Sequence, residues 1–224
     1  MTTQTVVTAV LLVVVPIVFN AAFFALQRAF DYPDILRRPT DEILRRFRDG
    51  GAALRRLWYI FAASAALFIP VPVLVQGLFP DSPWFLVVGT VFGVLAGIVQ
   101  VVGLLRWPFV VGGLAEMYLA PDATAAKRDA VSVVFEALHR YAGVAIGEHL
   151  GYLFTAIWTI LLCLAIVLTG IVGTWVGWLG LPAALMIFCG LFEEAGWKPA
   201  GAITAIGYVL WSLWLIVLGV ALLA

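Results

Sequence analysis

Six apolar runs dominate this chain and leave it few ways to fold. They cover about residues 5–26, 57–79, 84–105, 144–169, 174–192 and 201–223. A helix needs about 20 mostly apolar residues to cross the hydrocarbon core. Lipid offers backbone amides no partner, so such runs must satisfy their own hydrogen bonds as helices. Charged residues make up only 12% of the chain, against roughly 25% in soluble domains. The connections are too short for a soluble module. The sequence therefore predicts an all-α, six-span transmembrane helix bundle, with residues 1–224 as a single integral membrane domain. Met1 to Gln4 carry no basic residue and the apolar run behind them is long. The first segment is therefore expected to be retained rather than cleaved as a secretory signal.

The basic residues set an expected orientation. Of the 13 Lys and Arg, eight lie between spans one and two: Arg28, Arg37, Arg38, Arg45, Arg46, Arg48, Arg55 and Arg56. Arg106, Lys127, Arg128 and Arg140 lie in or beside the connection from span three to span four, and Lys198 lies between five and six. With six spans, those three connections share one side. Cytoplasmic loops carry the excess of Lys and Arg, so that side is expected to be the cytoplasm of a bacterial membrane, with both termini outside. Trp58, Tyr59, Trp175 and Trp178 stand where interfacial aromatics anchor a span. The formal net charge is zero, which gives no general attraction for nucleic acid.

Within the arginine-rich connection, Thr40 reads as a helix N-cap, with Asp41 and Glu42 in the first turn. Ile43, Leu44, Phe47 and Leu54 recur at helical spacing. Asp41 to Arg48 is predicted to be a short amphipathic helix on the cytoplasmic membrane surface. Anionic lipid headgroups are the plain partner for its arginines; a phosphorylated ligand is the sharper alternative. Pro70 and Pro72 are expected to bend span two, and Pro80 to Pro83 to form a tight turn. Residues 125–142 are expected to be helical and to run straight into span four.

The most informative stretch is Gly143 to Tyr152, G-V-A-I-G-E-H-L-G-Y. Glu148, His149 and Tyr152 place ionisable groups at a membrane boundary, where such groups are costly and point to a function. Gly143, Gly147 and Gly151 form a small-residue stripe that lets another helix approach. Gly89, Gly93 and Gly97 form a second stripe in span three. These stripes suit internal packing or a homo-oligomer equally well. If antiparallel spans three and four pack together, Arg106 arrives level with Glu148. At 1.5 Å per residue, Asn20 lies about 10 Å and Gln100 roughly 8 Å from the cytoplasmic ends of their spans. Glu148, His149 and Tyr152 lie about 5 to 12 Å from the start of span four. The polar groups thus gather in the cytoplasmic half and suggest a pocket opening that way.

Four stretches are similar to an uncharacterised family of small bacterial membrane proteins, common in actinobacteria and filed as a domain of unknown function. They are F-D-Y-P-D-I-L-R-R-P at Phe30 to Pro39, R-W-P at Arg106 to Pro108, R-Y-A-G-V-A-I-G-E-H-L-G-Y-L-F at Arg140 to Phe154, and G-Y-V-L-W-S-L-W-L at Gly207 to Leu215. The resemblance implies a multispan architecture and carries over no catalytic residue.

Three functional readings follow. The favoured one is non-enzymatic: binding, sensing or translocating a small or lipophilic ligand through Glu148, His149, Tyr152, Arg106, Gln100 and Asn20, with membrane lipids as surroundings. The second is a cofactor-independent membrane enzyme of the cyclase or isomerase type. It would use Glu148 or His149 as acid or base, with Trp158, Tyr208, Trp211 and Trp214 sheltering a carbocation. The third is a structural partner for another membrane protein. Only His139 and His149 are available as histidine ligands, ten apart on one predicted helix, so no haem clamp or zinc motif is expected. No phosphate-binding loop or nucleophile elbow is present. Cys163 and Cys189 lie in apolar runs and are expected to be reduced thiols.

Overall fold

A computed structural model describes residues 1–79 and 81–224. Among the described residues there is no strand, and six helices are long and apolar enough to cross a membrane. They run Thr3–Phe30, Gly51–Gln76, Trp84–Tyr118, Ala125–Thr169, Thr174–Phe192 and Ala200–Ala221. The protein is an all-α integral membrane protein, as the apolar runs require.

The first helix, α1 (Thr3–Phe30), continues through Pro16. After a 3-10 turn at Asp34–Arg37 comes α2 (Thr40–Asp49). The second spanning helix divides into α3 (Gly51–Phe68) and α4 (Val71–Gln76). The break falls at Pro70, where a missing N–H and the ring interrupt the helical ladder. Pro80, the first residue of the expected tight turn, lies outside the described residues. The third helix is longer than its apolar run: α5 (Trp84–Arg106) passes through a π-helical segment at Trp107–Val111 into α6 (Gly112–Tyr118). The fourth comprises α7 (Ala125–Leu138), a π-helical segment at His139–Leu150 and α8 (Gly151–Thr169). Thr124 caps it, its hydroxyl accepting from the Lys127 amide at 3.2 Å. Its 45 residues are about twice the number a span needs. Gly170 (φ 66°) ends α8 in the left-handed region. α9 (Thr174–Phe188) and α10 (Ala200–Ala221) complete the chain.

The chain packs as two compact units. The first comprises residues 1–17, 65–99 and 149–224. Its core holds Leu12, Phe68, Trp158, Leu162, Trp214 and Leu218, all buried. Gly180 lets α9 close on this core: a Cβ there would stand 2.6 Å from both the Cys163 sulfur and the Trp214 ring. The glycine stripe of α5 works inside this unit, with Gly89 against Leu161, Gly93 against Pro72 and Trp158, and Gly97 against Ile69.

The second unit comprises residues 18–64 and 100–148. Its core is aromatic. Trp58 and Trp107 stack with ring centroids 4.6 Å apart, and Phe30 meets Trp107 edge-on at 5.3 Å. Two expectations for α2 need correction here. Its apolar residues Ile43, Leu44 and Phe47 are buried in this protein core, with Leu54 beside them. The amphipathic face therefore meets protein rather than lipid. Thr40 is also not the N-cap. Pro39 holds that position without a side-chain cap, and its carbonyl accepts from the amides of Glu42 and Ile43. The Thr40 hydroxyl donates instead to the Glu136 carboxylate at 3.1 Å, tying α2 to α7.

Candidate functional site

The two π-helical segments shape the polar centre of the second unit. Pro108 lacks an N–H, so the Leu104 carbonyl loses its α-helical donor and the turn after Arg106 widens into the first π segment. Wide turns of this kind recur at functional sites. The second π segment carries Gly143 and Gly147. A Cβ on Gly143 would stand 2.6 Å from Nη2 of Arg106 and 2.7 Å from its Cζ. Only a residue without a side chain leaves the guanidinium room there. One turn away the backbones themselves meet, since a Cβ on Gly103 would lie 2.8 Å from the Gly147 Cα.

Arg106 is buried, with 9% of its surface exposed. Its Nη1 donates to the Gly103 carbonyl, and its Nη2 lies 3.3 Å from Nδ1 of His139. A guanidinium only donates, so Nδ1 is the acceptor and the imidazole proton sits on Nε2. Phe135 stacks on this ring, 5.9 Å away and parallel within 2°. The Arg106 charge also lies over the Trp107 ring, 5.3 Å from its centroid. Glu148 is half-buried and within electrostatic reach of Arg106, and both charges act on Tyr32. Trp58 and Trp107 carry buried indole N–H groups that find no acceptor among the described residues.

Tyr32 lies in the connection after α1, outside the spanning helices. Its ring packs edge-on against Trp58 at 5.1 Å and Phe23 at 5.6 Å. Burial holds its phenol above the usual range; the Glu148 charge adds to this and Arg106 opposes it. The folded chain therefore keeps a proton that the unfolded chain gives up near pH 10. This contribution to stability is fully present below about pH 10 and is lost as pH rises through the folded-state value. Alkaline unfolding followed by circular dichroism should show a decline above about pH 10 that Tyr32→Phe flattens. An unchanged profile in Tyr32→Phe would contradict the enclosure of this phenol.

Of the six residues predicted from sequence, Arg106 and Glu148 come together here. Asn20 and Gln100 belong to the same unit, half-buried and engaged with neighbours. His149 and Tyr152 belong to the first unit. There the Tyr152 ring fills the space over Gly190, where a Cβ would stand 2.5 Å from its Cδ2, and lies 5.9 Å from Tyr208. The sequence reading did not assign Tyr32 or Gly103 to the site, and it weighed His139 only as a metal ligand. The signal for Tyr32 was its place in the first family-like stretch.

The aromatic set considered as a carbocation shelter is a packed core. Trp158 lies 6.2 Å from Trp211 and 6.5 Å from Trp214. Trp211 Nε1 donates to the Thr159 hydroxyl and Trp214 Nε1 to the Val176 carbonyl, both at 2.8 Å.

A family model described as a domain of unknown function (DUF4386) matches residues 7–219. The chain belongs to the DUF4386 family. No curated protein and no solved structure matches it. The first three family-like stretches of this DUF4386 chain supply Phe30 and Tyr32, Arg106 to Pro108, and Arg140 to Glu148 to the second unit.

Proposed function

We propose that this membrane protein binds, and thereby senses or translocates, a small or lipophilic ligand at the polar centre formed by Arg106, Glu148, His139 and Tyr32. The observation that carries this reading is the buried Arg106 guanidinium. It is held by a carbonyl and an imidazole, within reach of a carboxylate and a phenol, between two π-helical segments. Ionisable groups so placed are costly to keep for packing alone. The two indole N–H groups without an acceptor add donors that a ligand oxygen would satisfy. Asn20 and Gln100 extend the polar surface of the same unit. The confinement of Lys and Arg to three connections supports a bacterial cytoplasmic-membrane location. It also supports a site that opens to the cytoplasm, with both termini outside.

The test is to purify the full chain in mild detergent and identify its bound small molecules and lipids by mass spectrometry. A guest held at this centre should fall roughly ten-fold in occupancy with Glu148→Gln, the loss expected of one charge-assisted contact. Arg45→Gln, which removes only a surface pair with Asp41, should retain it. A guest chemically converted by the wild type, and held unconverted by Glu148→Gln, would favour the enzymatic alternative. Equal occupancy in all three proteins would exclude this centre as the site.

A further inference from the structure

The second unit holds a separate cleft of about 230 Å³, lined by Phe47, Arg48, Gly51, Ala52, Arg55, Gly112 and Glu116. We infer that it seats the phosphate of an anionic membrane phospholipid between Arg48 and Arg55. This goes beyond the ligand site at Arg106 and uses none of its residues.

Charge pairing comes first. Five of the eight arginines in this connection have nearby acids: Arg37 with Asp34, Arg38 with Asp31, Arg45 with Asp41, Arg46 with Asp31 and Glu42, and Arg48 with Asp49. The Arg48 contact is with its sequence neighbour at 3.8 Å, and both side chains are about half exposed or more. Surface pairs of that kind contribute little and can be exchanged for a better anion. Among the described residues Arg55 enters no ion pair, and its guanidinium reaches the backbone of Gly112, where a Cβ would stand 3.1 Å from Nη2. Two arginines thus border a cleft roomy enough for a phosphate and the start of its ester chains, over a floor made by buried Phe47 and Gly112. Planar guanidinium groups suit the oxygens of a phosphate. Glu116 on the rim repels a bare dianion more than the single negative charge of a phosphodiester.

The surroundings identify the source. One helical turn beyond Arg55 is Tyr59, which meets Phe109 edge-on at 5.5 Å. These rings are 43% and 64% exposed, and they lie on the same two helices as Arg55 and Gly112. An exposed aromatic pair next to an arginine cleft fits acyl chains beside a headgroup. A free phosphorylated metabolite has no use for it.

The experiment places the full chain in nanodiscs of phosphatidylcholine containing a minor fraction of phosphatidylglycerol. After transfer to detergent, native mass spectrometry counts the retained lipid. Wild type and Arg45→Gln should retain phosphatidylglycerol, and Arg55→Gln should lose roughly ten-fold in occupancy. Arg48→Gln should lose part of it. Inorganic phosphate should not displace the lipid, because the phosphate supplies only part of the affinity. Phosphate binding that depends on Arg55 without lipid retention would overturn the lipid assignment in favour of a soluble phosphorylated ligand. Equal retention by wild type, Arg55→Gln and Arg48→Gln would overturn the cleft as a site. Arg55 is exposed, so its replacement should leave the fold intact, which circular dichroism verifies.

Discussion

Gly103→Ala should destabilise the protein by about 2–3 kcal/mol, the upper range for forcing atoms into a packed interior. The new Cβ would stand 2.8 Å from the Gly147 Cα and 3.2 Å from the Ala142 carbonyl oxygen. Both obstacles are backbone, so no rotamer change relieves them. Relief requires the π segment at His139–Leu150 to move off α5. That shift would carry Gly143 away from the Arg106 guanidinium it now clears. The comparison is Gly113→Ala on α6, where a Cβ meets nothing within 4 Å. At an exposed helical position alanine should be neutral or stabilise by about 0.5–1 kcal/mol. Unfolding in mixed micelles with increasing denaturing detergent compares the two directly. Equal midpoints for Gly103→Ala and Gly113→Ala would mean that α5 and the π segment do not meet at these glycines.

How far the sequence foretold this arrangement depends on which physical rule each residue obeys. The spans were legible because burial in lipid is a composition rule, and the break at Pro70 because a missing N–H is a local one. The approach of Arg106 to Glu148 follows from the antiparallel run of spans three and four, although the glycine stripe of α5 meets Leu161, Pro72, Trp158 and Ile69 and not the glycines of span four. The π segments were not legible. The reading of Gly143, Gly147 and Gly151 as one stripe assumes 100° per residue. A π-helical turn holds more residues, so those phases drift across His139–Leu150. Gly103 was missed for a related reason. It stands outside the Gly89, Gly93, Gly97 series, and only the widened partner helix brings Gly147 onto it. For α2, an apolar face looks alike whether lipid or protein covers it. The aromatic core of Phe30, Trp58 and Trp107 decides that question, and its parts are far apart in sequence.

Arg106→Met should cost about 3–4 kcal/mol, the range for removing one partner of a buried charge group. Methionine fills much of the volume but donates nothing to the Gly103 carbonyl or His139, and it leaves the Glu148 carboxylate without the nearby positive charge. If Arg106 and Glu148 act as a coupled pair, Glu148→Gln should cost less in the Arg106→Met background than in wild type. The expected coupling is roughly 1–3 kcal/mol. Stability alone would not separate this pairing from general loosening, but Tyr32 reports on the two charges with opposite signs. Glu148 raises its phenol and Arg106 lowers it. Tyrosinate absorbance, taken as the difference from Tyr32→Phe backgrounds, should therefore appear at lower pH in Glu148→Gln and at higher pH in Arg106→Met. The double variant should fall between them. Strictly additive stabilities, or shifts of Tyr32 in the same direction for both single variants, would show that the guanidinium, carboxylate and phenol do not form one electrostatic unit.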